Sequence, residues 1–271
     1  MYESEFPLDD SIIYLNHAAV SPWPRRTADA VKRFADENVA VGSRNYPTWL
    51  DTEYTLRQQL QQLINATSSE EIALLKNTSE ALSVVAYGLP WKSGDNVVIT
   101  SQEFPSNRVV WESLQKYGVI TRAADINAGD SPEMAIIDAL DDHTRLLSVS
   151  AVQYGSGLKL DLPVLGTACR ERNILFCVDA IQGLGAVRLD VQACQADFVM
   201  ADAHKWMLGP EGIALFYCRQ AVMERLDLKQ YGWHMLQDQH NFDNKNWEIA
   251  GSARRFECGS PNMTGIHALH A

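Results

Sequence analysis

The sequence predicts an α/β protein built around a mostly parallel, mixed sheet of about seven strands, with helices on both faces. From residue 72 onwards, short runs of Val, Ile and Leu alternate with stretches whose apolar residues recur at helical spacing. The strand-like runs are continuously apolar, which is typical of parallel strands that are buried on both faces. With 271 residues, of which 46% are hydrophobic, the chain can bury a large core.

The elements follow in a clear order. Residues 12–15 form an apolar run that predicts a short strand, and residues 27–41 and 49–64 carry apolar side chains at helical spacing. Seven further strands are predicted at residues 72–75, 96–100, 119–124, 145–152, 174–179, 197–202 and 213–218. The helices expected between these strands cover residues 79–88, 106–117, 132–140 and 163–172.

The last two strands break the alternation of strands and helices. The short segment between residues 202 and 213 contains GPEG and cannot hold a crossover helix, so one of the two strands is predicted to be antiparallel to its neighbour. Residues 227–249 are polar and aromatic, and predict a long surface excursion.

Composition excludes several function classes. The formal net charge of −11 leaves no basic surface for nucleic acid or an anionic membrane. The first ten residues are acidic and lack the apolar core of a signal peptide, and no apolar run approaches a membrane span. Five scattered cysteines, with no CxxC pair, argue against disulfides and a structural metal site. We therefore expect a soluble, cytoplasmic protein without a bound metal.

Polar side chains follow the predicted strands at the sheet edge where ligands bind in open α/β sheets. Thr78 and Ser79 open the helix after the first of the seven strands, where free backbone N–H groups form an anion site. Asn77 and Glu80 also fit a simple helix cap, and both interpretations hold together.

A lysine and an aspartate give this edge its chemistry. Asp179 ends an apolar strand, where its carboxylate needs a partner, although a helix cap or a salt bridge would also satisfy it. Lys205 follows another strand end, and is either a structural ion-pair partner or a desolvated, nucleophilic amine. A phosphate site, an aspartate and a lysine together fit pyridoxal phosphate (PLP), with Phe104 stacked on its ring unless Phe104 is simply a core residue.

At these residues the sequence resembles the class V aminotransferases, fold-type I PLP enzymes that include cysteine desulfurases, selenocysteine lyases and isopenicillin N epimerase-like proteins. The resemblance covers residues 14–262. The matching segments, in chain order, are YLNHAA, NTSEAL, EFPSN, VDAIQGLGA, ADAHKWMLGPEG and RFECGSPN.

The resemblance implies a role for each matching residue. Lys205 corresponds to the Schiff-base lysine, Asp179 to the partner of the pyridinium nitrogen, and Phe104 to the residue stacked on the ring. The other cofactor contacts implied are Thr78, Ser79 and His204 at the phosphate, Gln182 at the phenolic oxygen, and Ser260 at the phosphate of a neighbouring subunit. A homodimer with shared active sites is therefore expected.

Three residues depart from the desulfurase pattern. Phe104 stands where desulfurases have a histidine that transfers protons. Tyr154 stands where they have an asparagine near the cofactor, although Gln153 can substitute for it. Asp202 replaces a phosphate-binding serine, and its carboxylate would repel phosphate unless it turns away or pairs with another group. These departures concern the reaction rather than the cofactor.

The resemblance also implies a domain organisation. Residues 1–20 would form an N-terminal arm, residues 21–262 the PLP-binding large domain, and residues 263–271 the start of a truncated small domain. In relatives that domain supplies an arginine for the substrate carboxylate and, in desulfurases, the loop with the nucleophilic cysteine. None of the five cysteines matches that loop, so the chain is expected to be a fragment or a shortened relative.

The function implied is that of a PLP-dependent enzyme acting on an amino acid, with Lys205, Asp179 and Phe104 as its catalytic residues. A cysteine desulfurase or lyase is the first expectation, and an aminotransferase or epimerase of the same family is the second. A catalytically silent protein that keeps the fold for binding or dimerisation is the alternative from another class. A nucleotide-binding protein is disfavoured, because no GxGxxG or GxxxxGK[ST] follows a strand.

Overall fold

The computed structural model describes residues 2–271 and contains the predicted sheet of seven strands. The strands are β1 (Ile72–Leu75), β2 (Asn96–Thr100), β3 (Ile120–Ala124), β4 (Thr144–Ser150), β5 (Leu175–Asp179), β6 (Phe198–Asp202) and β7 (Ala214–Cys218). Their order across the sheet is β1-β7-β6-β5-β4-β2-β3. The strand β7 alone runs against its neighbours, which confirms the prediction of one antiparallel strand.

Helices cover both faces of the sheet, as predicted. Their bounds are α1 (Arg25–Val41), α2 (Tyr46–Leu63), α3 (Thr78–Gly88), α4 (Ser106–Glu112), α5 (Pro132–Asp138), α6 (Leu162–Glu171), α7 (Gln220–Met223) and α8 (Met263–His270). Within residues 2–271, none of these helices combines the length and the apolarity that a bilayer crossing requires.

Alternation along the strands divides the core into two layers. In β5, Phe176 and Val178 face the layer that includes side chains of α2, α6 and α8, whereas Leu175 and Cys177 face the layer under α3 and α4. Because both faces are covered, nearly every residue of the inner strands is buried, which explains their continuously apolar sequence.

One predicted strand is wrong, and one predicted surface excursion is confirmed apart from two buried residues. The strand predicted at residues 12–15 does not form, because this segment has no strand beside it in the described chain, and Ile13 and Leu15 are 90% and 82% exposed. The excursion at residues 227–249 is largely exposed, as predicted, but His234 and Met235 are buried within it. The helix α8, in the region predicted to begin a second domain, packs against α1 and α2. The domain boundaries themselves stay a prediction.

Side chains rather than a further strand satisfy the outer edge of β1. The Arg57 guanidinium donates a hydrogen bond of 2.9 Å to the Ile72 carbonyl, and Glu257 accepts one of 2.9 Å from the Leu74 N–H. Arg57 is itself paired with Glu53 and doubly with Glu257, at 2.5 and 2.8 Å. An open strand edge promotes aggregation, and this buried cluster closes it.

The cluster contains three residues of types that commonly bind metals, two glutamates and a histidine, but an arginine lies among them. Ligand atoms of Glu53, His234 and Glu257 lie within 4.8 Å of one another. Because the Arg57 guanidinium already forms ion pairs with both carboxylates, we interpret the group as an ion-pair cluster. Burial lowers the pKa of His234, so its imidazole stays neutral there.

We expect Arg57→Ala to lower the free energy of unfolding by about 3–5 kcal/mol, because it leaves two buried carboxylates without a cation. The matched control is Arg108→Ala, which removes an exposed i,i+4 pair with Glu112 and should cost less than about 1 kcal/mol. Urea unfolding of both variants measures the difference, and Arg57→Lys provides a milder change should the alanine variant not fold. Equal losses for Arg57→Ala and Arg108→Ala would contradict the proposed importance of the cluster.

Candidate active site

The turn after β6 holds Lys205 in a fixed position at the carboxyl edge of the sheet. The Gly209 N–H donates to the Ala203 carbonyl at 2.9 Å, and the Leu208 N–H donates to the Lys205 carbonyl at 3.1 Å. Gly185 packs against the same turn with a φ of +100°, and a Cβ at this position would lie 2.2 Å from the Trp206 carbonyl oxygen. Only glycine permits this close approach.

The Lys205 amine is buried without an anionic partner. The residue is 9% exposed, and no hydrogen bond or ion pair of its side chain exists within residues 2–271. Its Nζ lies 5.5 Å from the centroid of the Phe104 ring. Burial lowers the pKa of Lys205, although Asp179 and Asp202 oppose this shift. The structure therefore favours the interpretation of Lys205 as a desolvated amine over that of an ion-pair partner.

Asp179 lies at the end of β5 with one carboxylate oxygen unbonded. Its Oδ1 accepts a hydrogen bond of 3.0 Å from the Ile181 N–H, and Oδ2 accepts none from residues 2–271. Burial, with Glu103 and Asp202 nearby, raises the pKa of Asp179 to about 7, against the opposing effect of Lys205. No helix begins at this loop, so Asp179 is not a helix cap.

Glu103, which was not predicted from the sequence, connects β2 to β4 in the site. Its two buried oxygens accept hydrogen bonds from five groups: the hydroxyls of Thr100 and Ser150, the N–H of Ser150, and the amides of Asn107 and Gln153. An acidic residue three positions after a strand end, and four residues before an asparagine on the next helix, was the available signal.

The Glu103 network fixes the side chain of Gln153. The Gln153 amide donates to the Thr100 hydroxyl at 3.2 Å and to Glu103 at 3.1 Å, while its buried Oε1 has no partner in the described chain. Tyr154, the next residue, is exposed and packs edge-on against Phe104, with 5.2 Å between ring centroids. Phe104 is itself 41% exposed, so its ring can still contact a ligand.

The N-terminus of α3 meets the end of β6. The Asn77 side chain caps the helix by accepting the Glu80 N–H at 2.8 Å, which confirms the capping interpretation. The backbone N–H groups of Thr78 and Ser79 keep no acceptor within residues 2–271, so the anion site is present as well. The Thr78 hydroxyl accepts the Asp202 N–H at 3.1 Å, which leaves its own proton free to donate.

Asp202 and His204 form a close buried pair beside this helix terminus. The His204 Nδ1 lies 3.1 Å from the Asp202 Oδ1, but the two atoms are not aligned for a hydrogen bond. Neither atom has another partner in the described chain.

Segments outside the sheet edge complete the site. The Gln182 amide donates to the Ala18 carbonyl at 2.9 Å and accepts from the Trp206 indole at 3.0 Å, so its orientation is fixed and one N–H remains free. His17 stacks on the Trp206 ring, with 5.4 Å between centroids. The N-terminal arm thus packs on the turn that carries Lys205.

Two cavities lie outside the Lys205 turn. Ser260 is exposed and lines a cavity of about 310 Å³ together with Lys76 and Glu80. A cavity of about 430 Å³ beside α6 opens between Lys159 and Arg188, and no predicted site residue lines it. The structure therefore brings the predicted residues of the sheet edge together, and places Ser260 on the exposed rim of a separate cavity.

Comparison with known proteins supports the resemblance. Residues 13–271 match the family model described as aminotransferase class-V. A protein of Methanothermobacter thermautotrophicus described as a probable cysteine desulfurase is 32% identical, over 98% of this chain and 67% of its own length. The chain spans about two thirds of the length of the curated relatives it matches.

Solved structures share the fold. The apo structure of cysteine desulfurase from Thermococcus onnurineus has a TM-score of 0.87 and 26% identity, over 99% of this chain and 68% of that one. A lysine-to-alanine variant of C-DES, solved with glycine covalently linked to its PLP cofactor, has a TM-score of 0.89 and 21% identity, over 99% and 72%. The α/β fold predicted from the sequence is confirmed.

We expect Asp179→Asn to stabilise the protein without added ligand at pH 8. The folded carboxyl keeps its proton to about pH 7, whereas in the unfolded chain it ionises near pH ~4. The protonated Asp179 carboxyl therefore contributes its full stabilisation of the folded state below pH ~4, and this stabilisation is lost as the pH rises through about 7. Three pKa units correspond to at most about 4 kcal/mol.

Urea unfolding at pH 5 and pH 8 measures this effect. Asp141→Asn is the control, and it should change the free energy of unfolding in the opposite direction. A hydrogen bond from Asn96 lowers the pKa of Asp141, so removal of this carboxylate should destabilise the folded state. The expectation for Asp179 is wrong if its substitution destabilises the ligand-free protein at pH 8.

Proposed function

Because the chain belongs to the class V aminotransferase family, we propose that it is a PLP-dependent enzyme that acts on an amino acid as cysteine desulfurases and lyases do. The observation that carries the proposal is the buried Lys205 amine, without an ion-pair partner, at the same sheet edge as the half-satisfied carboxylate of Asp179. Such an amine is the nucleophile that an aldehyde cofactor requires.

The unpaired polar atoms of the site fit PLP. The free N–H groups of Thr78 and Ser79 and the free hydroxyl proton of Thr78 suit its phosphate. The Oδ2 of Asp179 suits its ring nitrogen, and the free N–H of Gln182 suits its phenolic oxygen. The buried, unpaired Oε1 of Gln153 is a further acceptor. When bound, PLP supplies an electron sink for the bonds at the substrate Cα.

The carboxylate of Asp179 matches the positive charge of a protonated PLP ring nitrogen. Burial among acidic groups raises its pKa to about 7, so the carboxylate is costly to keep charged without a cation. A protonated ring nitrogen at Oδ2 would remove this cost, and the ionised Asp179 would in turn hold that proton. The preference of the site for a cationic ring is therefore a property of the residues themselves.

Lys205 is the residue suited to move a proton at the substrate Cα. Burial lowers its pKa, so a larger fraction of the amine is neutral and can accept a proton near neutral pH. Phe104, which lies over the same position, has no ionisable group and contributes a water-excluding ring face. In desulfurases a histidine at this position transfers protons. Because Phe104 cannot do so, Lys205 or another group has to transfer them in this protein.

We propose cysteine as the substrate, on the basis of the relatives' description as cysteine desulfurases. A homodimer is proposed with it. Two observations support the dimer: the exposed Ser260 beside Lys76, and the exposed apolar side chains of Ile13 and Leu15 in the N-terminal arm. Ile13 and Leu15 are large apolar side chains that the described chain leaves exposed, and a partner subunit would bury them.

Lys205→Ala should abolish the visible absorbance band that purified protein shows when PLP is bound to its lysine amine. The matched control is Lys159→Ala, which removes an exposed lysine outside the site and should keep the band. Titration with PLP is monitored by absorbance, and dialysis afterwards shows whether the protein retains the bound PLP. A wild-type protein that shows no visible absorbance band after saturation with PLP and dialysis would contradict the proposal.

With PLP bound, the protein should release sulfide from L-cysteine in the presence of a thiol reductant, and Lys205→Ala should lower the rate at least about 100-fold. Equal amounts of alanine indicate desulfuration, whereas pyruvate and ammonia indicate elimination. Amino-group transfer to a keto acid, or conversion to D-cysteine, would instead favour an aminotransferase or an epimerase. No turnover by PLP-bound protein would favour the silent binding protein.

A further inference from the structure

Asp202 stands at the proposed phosphate site, although a carboxylate repels phosphate. It is 7% exposed, and its backbone N–H is bonded to the Thr78 hydroxyl at the N-terminus of α3. The charged or titratable groups that influence it are His204 and Lys205 from the following turn and Asp179 from β5. Of these three, only His204 lies within ion-pair distance of the Asp202 carboxylate in the described chain.

The pair of Asp202 and His204 has unused hydrogen-bonding capacity. The Oδ1 of Asp202 and the Nδ1 of His204 are both buried, 3.1 Å apart, and without another partner within residues 2–271. Buried polar atoms without partners are costly, so a change of ring orientation that aligns this bond is favourable. The His204 carbonyl accepts the Ser21 N–H at 2.8 Å, which fixes the backbone of the pair.

We propose that Asp202 is a positioning residue: its carboxylate accepts a hydrogen bond from the Nδ1–H of a doubly protonated His204 and orients the Nε2–H as a donor to the phosphate of the cofactor. This inference rests on the proposed function, because it takes the anion at α3 to be the PLP phosphate. A carboxylate and a protonated imidazole are together neutral, as a serine is, so the pair adds a charge-assisted donor without net repulsion. Asp202 then strengthens phosphate binding.

The sign of one substitution separates the two roles. If Asp202 positions His204, Asp202→Ala should raise the dissociation constant of PLP about tenfold, because the phosphate loses an oriented donor. If Asp202 simply repels phosphate, the same change should lower that constant. Asp202→Asn keeps an acceptor for Nδ1 and should recover part of the affinity.

A double-mutant cycle identifies the partner. His204→Gln should weaken PLP binding about as much as Asp202→Ala, and the double variant should be no weaker than either single variant. Pyridoxal, which lacks the phosphate, should bind the wild type and Asp202→Ala equally. Asp238→Asn, which changes an exposed carboxylate of the 227–249 loop, is the control and should leave both constants unchanged.

Nitrogen-15 NMR of the histidines, without any cofactor, tests the pair independently of the proposed function. The wild type should show a hydrogen-bonded proton on Nδ1 of His204, and Asp202→Ala should lose it. An unchanged His204 signal overturns the pairing, even if PLP binds. A wild type that keeps the paired signal but binds neither PLP nor inorganic phosphate overturns the phosphate role together with the proposed function. Tighter PLP binding by Asp202→Ala overturns the positioning role of Asp202 and leaves the proposed function intact.

Discussion

The candidate site depends on an excess of buried negative charge at one edge of the sheet. Glu103, Asp179 and Asp202 are each less than 10% exposed there, and Lys205 is the buried lysine beside them. Burial, with a smaller contribution from the neighbouring acids Glu103 and Asp202, raises the pKa of Asp179 to about 7, and burial lowers the pKa of Lys205. A ligand with a cationic ring and an aldehyde would satisfy Asp179 and react with Lys205 at the same site.

Most of the fold could be predicted from the sequence, because an inner strand of a covered sheet must be apolar on both faces. The runs 72–75 and 96–100 coincide with β1 and β2 for this reason. The failure at residues 12–15 has a physical cause as well. An apolar run becomes a strand only beside a neighbour with free backbone groups, and the sequence does not reveal whether that neighbour exists. Ile13 and Leu15 remain exposed here.

Single charged residues beside apolar strands could be picked out from the sequence as site candidates. Residues whose place depends on hydrogen bonds to distant parts of the chain could not. Asp179 ends the apolar strand β5 and Lys205 follows the apolar strand β6 by three residues, so each charge stands out beside an apolar run. Glu103 lies in a loop-like segment of the sequence, SQEFPSN, so its burial and its five donors follow only from the pairing of β2 with β4. His234 was missed for a similar reason, since its burial depends on Glu53 and Glu257, which are distant in sequence.

The reversed strand β7 explains why the lysine is held so firmly. Because β7 returns directly beside β6, residues 203–213 have to turn within a few residues, and the Ala203 N–H bonds the Ile213 carbonyl at 3.0 Å. A parallel neighbour would need a crossover helix, and Lys205 would then lie on a longer, more mobile loop. The tight reversal fixes the backbone while the amine lacks a partner in the described chain, so Lys205, the proposed nucleophile, is positioned by main-chain bonds and its side chain keeps no competing hydrogen bond or ion pair.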